Sequence, residues 1–127
     1  MTGQEFEQWT CQWFRNRGYW ALNIPKNKFG AQPFDVLAIR GSDIWAVDCK
    51  VCSKSRFPLS RVEDNQWLAF DLMQEITNAI CGFMCWYNGL FFIPYSLAKK
   101  NRENGNASIL LGGDLWVKET EIGQSEI

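Results

Sequence analysis

The 127-residue sequence predicts an α/β fold in which helices flank a central sheet, and three observations carry that prediction. Apolar residues at helical spacing open the chain: Phe6, Trp9, Trp13 and Phe14 fall on one face. Two short apolar runs, Phe34 to Ile39 and Ile44 to Val47, flank a Gly41-Ser42 turn and read as a hairpin. Asn88-Gly89, a strong signal for a tight turn, separates two more runs, residues 82–87 and 90–93.

Each element has a local reason. Thr2-x-x-Glu5 forms a capping box that starts the first helix, and Gly18 ends it. Residues 19–24 read as a strand and 25–32 as a loop before the first hairpin. Residues 52–61 are rich in Ser, Lys and Arg and read as a loop; Ser60 then caps a helix of about 18 residues. Val62, Trp67, Phe70, Leu72, Met73 and Ile76 give that helix a broad buried face. A short helix over 96–102 and a strand over 108–111 complete the fold. One domain is expected over residues 1–113, followed by an acidic tail, 114–127, that frays.

Composition narrows the chemistry. At 46% hydrophobic the chain can bury a core, and no apolar run approaches the roughly 20 residues of a membrane span. No basic start leads into an apolar block, so a soluble, cytoplasmic protein is expected, with no membrane partner. Histidine is absent, which removes the commonest general base and every Ser-His or Cys-His nucleophile pair. Five cysteines, an odd number, fit a reducing compartment in which Cys acts as a small hydrophobe. Cys49-x-x-Cys52 and Cys81-x-x-x-Cys85 raise zinc as an alternative, but their apolar surroundings favour core packing.

The chemistry gathers in the first hairpin. Asp35 opens it, and Asp48-Cys49-Lys50 closes it. Alternation along a strand sets Asp48 and Lys50 on one face and Cys49 on the other. Converging carboxylates can hold a divalent cation through hard oxygens, and a neighbouring ammonium can orient water or steady charge on a phosphate. The set suits phosphodiester hydrolysis, the competing reading being an exposed ion pair of little energetic weight. Glu7, at the edge of the apolar face of the first helix, can lean towards the sheet. Net charge is −1, yet residues 26–61 hold seven basic residues (Lys26, Lys28, Arg40, Lys50, Lys54, Arg56, Arg61) against three acids. Such a local excess is what a polyanion would meet. Trp20, Phe29 and Phe57, near loops, are candidate wedges for stacking on bases.

The order helix, three strands, helix, two strands resembles the PD-(D/E)XK nuclease superfamily, and within it the RecU-type Holliday-junction resolvases. The matching residues are Gly3-x-x-Phe6-Glu7, Phe34-Asp35, Asp48-Cys49-Lys50, Phe57-Pro58-Leu59 with Gln66 following, and Phe91-Phe92-Ile93-Pro94. The resemblance implies a restriction-endonuclease-like core with a mixed central sheet, and an endonuclease acting on branched DNA as a homodimer. It implies that Asp35 and Asp48 ligate Mg²⁺ or Mn²⁺, with the Cys49 carbonyl and a water-mediated Glu7 in support. Lys50 would hold the attacking water, Gln66 would steady the site, and cleavage would leave a 5′-phosphate. Lys26, Lys28, Lys54, Arg56 and Arg61 would meet the DNA backbone. Asp48 stands where glutamate is more usual in the family. Two alternatives stay open: a nuclease fold kept as a DNA-binding or scaffolding module, and a nuclease directed at flaps, nicks or duplex.

Overall fold

A computed structural model describes residues 1–26 and 32–117. The first helix, α1, spans Gly3–Arg15. Its capping box is formed: the Glu5 N–H donates to Thr2 Oγ1 at 3.1 Å, and the Thr2 N–H donates to Glu5 Oε1 at 3.0 Å. Phe6, Thr10, Cys11, Trp13 and Phe14 are its buried residues. Gly18, at a φ of 84°, turns the chain into the first strand.

Strands β1 (Trp20–Asn23), β2 (Val36–Arg40), β3 (Asp43–Val51), β5 (Ile80–Trp86) and β6 (Leu90–Pro94) form one sheet in the order β1-β2-β3-β5-β6. β3 and β5 run parallel while every other pair is antiparallel, so the sheet is mixed. α1 packs on one face, its Phe6, Trp13 and Phe14 clustering with Val36, Ala38, Val47, Cys49 and Met84. Helices α2 (Asp64–Ile76) and α3 (Tyr95–Glu103) bury Trp67, Phe70 and Ala98 on the other face, with Ala46, Cys81, Phe83 and Cys85. Among the described residues no helix is long and apolar enough to cross a membrane.

Three stretches differ from expectation. Arg56–Pro58, expected in a loop, is strand β4 and pairs with β7 (Ser108–Leu110) in a second small sheet. The pairing turns Phe57 inward, where it is 0% exposed and cannot wedge into DNA. Phe29 lies outside the described residues, and Trp20 is exposed.

The helix expected to begin at Ser60 begins later. Leu59 and Val62 are both buried, and tucking them in takes a 3₁₀ turn over Leu59–Arg61 and an extended Val62. Glu63 therefore caps α2, which is 13 residues long. Trp67 and Phe70 face the sheet, whereas Leu72, about 200° round from Phe70, points away. Leu72 and Ile76, expected in the core, are exposed, as is Leu68.

At the other end the packed chain continues past Gly113. Gly113–Leu115 makes a 3₁₀ turn, the Trp116 ring stands 5.2 Å from that of Phe91, and the Val117 N–H donates to the Leu90 carbonyl at 2.9 Å. The rest of the acidic tail, residues 118–127, lies outside the described residues, as does the Lys28 loop at 27–31.

All five cysteines are free and buried. Cys49 belongs to the α1 face and Cys52, Cys81 and Cys85 to the other, so the four thiols of the zinc alternative do not converge.

Gly82 shows how tightly the centre of the sheet is closed. A Cβ there would stand 2.3 Å from the Ile93 carbonyl oxygen and 2.7 Å from the Phe92 ring. Gly82→Ala should therefore destabilise the protein by roughly 1–3 kcal/mol, the usual cost of overpacking. Urea denaturation should show a lower midpoint at unchanged slope.

Candidate active site

Asp35 is fixed before its side chain is considered. Its N–H donates to the Val47 carbonyl at 3.0 Å, and its carbonyl accepts from the Ile24 N–H at 2.7 Å, which pins the residue between β1 and β3. The carboxylate is held on both oxygens. Gln32 Nε2 donates to Oδ1 and the Cys49 N–H donates to Oδ2, each at 2.7 Å. A strand residue sends its N–H and C=O to the same side, so the Cys49 carbonyl leaves β3 towards Asp35 as well.

Asp48 lies deeper, 2% exposed in mid-strand. Gln66 Nε2 donates to its Oδ1 at 2.8 Å. Lys50, on the same face, sets Nζ 3.0 Å from Oδ2, an oxygen that receives no aligned hydrogen bond among the described residues. The Asp35 carboxyl is within hydrogen-bonding reach of Asp48. Burial, and then Asp35, push the Asp48 carboxyl well above the usual carboxylate range, while Lys50 pulls it down.

Gln66 has two tasks. Its Oε1 accepts from the Glu63 N–H at 3.1 Å and closes the capping box of α2, while its Nε2 holds Asp48. One amide thus ties the start of the helix to the acid in the sheet.

Glu7 reaches this group from α1. It is half-buried, hydrogen-bonds Asn23, and feels Asp35, Lys26 and Lys50. Burial first, and Asp35 second, raise its carboxyl above the ordinary value. Asp35, Asp48, Lys50, Gln66 and Glu7 therefore come together at one end of β2 and β3.

The basic residues are placed more diversely. Lys26 is exposed beside Glu7, and Lys54 is exposed in the turn beyond β3. Arg56 donates from Nε to Ser108 Oγ at 2.8 Å, and Arg61 from Nη1 to the Val51 carbonyl at 2.9 Å. Both remain exposed, yet each also ties two segments of the fold together.

Reading the sequence missed Gln32, Asn23 and Asn65, whose Nδ2 donates to the Gln32 carbonyl at 3.2 Å. Gln32 holds Asp35 from only three residues away, but a single Gln in a loop carries no periodic or charge signal that would distinguish it.

Two converging carboxylates fit a hard divalent cation, since Mg²⁺ is commonly bound by one or two carboxylates with water and substrate phosphate completing its shell. Among the described residues no group of three or more His, Cys, Asp or Glu forms a fuller protein cage. The donor set suits an ion shared with a phosphodiester rather than a structural metal.

A raised Asp48 value has a definite sign. The folded protein holds a proton on this carboxyl that the unfolded chain gives up at lower pH, so without metal, stability falls as pH rises from the ordinary carboxylate value towards the raised one. Asp48→Asn removes that titrating carboxyl. In EDTA the stability of the variant should therefore change less with pH across that window than that of the wild type. Thermal unfolding with and without Mg²⁺ checks this: Mg²⁺ should raise the midpoint of the wild type more than that of the variant.

No protein-family model matches the chain, and neither does any curated protein. Among solved structures, Hjc, a Holliday junction resolvase from the archaeal hyperthermophile Archaeoglobus fulgidus, aligns with a TM-score of 0.62 over 97% of this chain and 99% of that one, at 17% identity. The mixed five-stranded sheet with helices on both faces is thus the restriction-endonuclease-like α/β fold.

Proposed function

We propose that this protein is a metal-dependent endodeoxyribonuclease that cleaves branched DNA, with the four-way junction as its substrate. The convergence of Asp35, Asp48 and Lys50 at one strand end, in a fold like that of Hjc, carries the reading. Asp35, Asp48 and the Cys49 carbonyl would hold Mg²⁺ or Mn²⁺, with Glu7 in contact through water. Such an ion supplies Lewis-acid stabilisation of charge on the phosphodiester and a more acidic water.

The protein groups do the positioning. Lys50 carries its ammonium beside Asp48, where it can orient the attacking water and face developing negative charge. Gln66 and Gln32 hold the two carboxylates so that neither turns away from the substrate. Lys26, Lys28, Lys54, Arg56 and Arg61 would contact phosphates and set the DNA in register, carrying no sequence information.

Cutting two related strands of one junction calls for two sites related by symmetry. Exposed apolar surface supports a homodimer. Trp20 stands opposite Ile39 and Ile39 opposite Ile44, while Leu22 stands opposite Leu37, so these residues share the sheet face that bears Asp48 and Lys50. Trp20 and Leu22 are exposed. Leu68, Leu72 and Ile76 form a second exposed stripe, four residues apart along α2. A second copy covering such surface would add a second, symmetry-related site.

Cleavage of labelled four-way junction, flap, nicked and plain duplex DNA, in Mg²⁺ or EDTA, tests the function. The junction should be cut fastest and EDTA should stop the reaction. Lys50→Ala should lower the rate by about 10²–10³-fold with little change in DNA affinity. Gln66→Ala and Gln32→Ala should weaken metal affinity by about 10–100-fold. Glu7→Ala should impair cleavage while Glu5→Ala, which removes only a cap, should not. Full activity in Asp48→Asn or Lys50→Ala would refute the assignment. For the dimer, light scattering should give twice the chain mass at micromolar concentration, and Leu72→Glu should return the monomer with its circular dichroism unchanged.

A further inference from the structure

The end of β3 carries a chemical feature that DNA cleavage does not use. Cys52 follows the last residue of the strand, and its N–H donates to the Trp86 carbonyl at 2.8 Å, which holds it against β5. Cys52 packs in the same cluster as Cys85, the register partner of Lys50 on β5. The two thiols lie within interaction range of each other, while Cys52 Sγ faces the Lys50 carbonyl at 3.9 Å and Cys85 Sγ the Phe83 carbonyl at 4.0 Å. Arg61, anchored on the Val51 carbonyl, places the same Nη1 3.8 Å from Cys52 Sγ.

These contacts make the pair unequal. A thiol that faces a guanidinium is favoured as thiolate, and only Cys52 of the two does so. The neighbouring Cys85 thiol, and then Arg61 against the opposing effect of burial, lower Cys52 to about 7. Cys85 moves the other way, raised first by the neighbouring Cys52 and then by burial. Access is graded likewise: Cys52 keeps 8% of its surface and Cys85 none. Cys52 is thus suited to attack a small oxidant, and Cys85, beyond its direct reach, to attack Cys52. Of the other thiols, Cys11 and Cys49 lie across the sheet, and burial raises Cys11, Cys49 and Cys81.

We propose that Cys52 and Cys85 are a peroxide-sensitive dithiol pair that closes to a reversible disulfide two residues beyond Lys50. The Cys52 thiolate attacks one oxygen of hydrogen peroxide; an S–O bond forms, the O–O bond breaks, and the departing hydroxide takes a proton to become water. Cys52 is now a sulfenic acid, oxidised by two electrons, and the peroxide is reduced. Cys85 sulfur then attacks Cys52 sulfur; the S–S bond forms, the S–O bond breaks, and the hydroxide leaves as water with the Cys85 proton. Two thiols and one peroxide give one disulfide and two waters, and a dithiol reductant restores the thiols by exchange.

The test uses the full chain, reduced and then exposed to a small excess of hydrogen peroxide at pH 7.5, quenched by alkylation in denaturant and mapped by mass spectrometry. The intact mass should fall by two hydrogens, one bridged peptide should join Cys52 to Cys85, Cys11, Cys49 and Cys81 should be alkylated, and dithiothreitol should reverse the change. In Cys85→Ser the reaction should stop at a sulfenic acid on Cys52 that dimedone traps. Arg61→Gln should slow alkylation of Cys52 at pH 7 several-fold and move its pH profile upward. Alkylation of both Cys52 and Cys85 after peroxide, a bridge between other cysteines, or sulfinic acid on Cys52 beside an intact Cys85 thiol would each overturn the proposal. None of these readouts involves DNA, so the pair and the nuclease reading stand or fall separately.

Discussion

A carboxylate buried at 2% exposure in the middle of a sheet is expensive, and much of this structure is arranged around that cost at Asp48. Gln66 donates to one oxygen, and Lys50 brings a positive charge to the other. Gln66 can do so only because α2 starts at Glu63, which depends on Leu59 and Val62 being tucked into the core as a turn. The Asp48 environment therefore rests on packing decisions made eleven and fourteen residues away along the chain, at Leu59 and Val62. Asp35 adds a second negative group within reach, so the site is electrostatically tense in its own right. A cation shared by both acids would relieve that tension, which links the chemistry to the stability of the sheet.

What could be read from the sequence was local. The capping box at Thr2 and Glu5, the hairpin at Gly41-Ser42 and the turn at Asn88-Gly89 each carry their signal within four residues, and each is formed. The common face of Asp48 and Lys50 follows from strand alternation alone. What stayed hidden depends on partners far along the chain. β4 is a strand because β7, some fifty residues later, pairs with it, and nothing in Arg56-Phe57-Pro58 announces that partner. The buried face assigned to α2 put Leu72 and Ile76 inside because apolar residues occupy several sides of that helix, and only its packing against the sheet chooses between them. Gln32 was invisible for another reason: its contribution is one hydrogen bond from an irregular loop.

The parallel pairing of β3 with β5 also governs how the molecule is made. The β2–β3 and β5–β6 hairpins close short turns and can zip within microseconds. They join only when the crossover through β4 and α2 brings Asp48 level with Phe83 and Lys50 level with Cys85. Closing that long loop costs entropy before any contact across the junction repays it, the situation in which folding slows. That seam carries Asp48 and Lys50 on one side, so while it is open the acids of the hairpin lack the burial and the Gln66 hydrogen bond that the crossover brings.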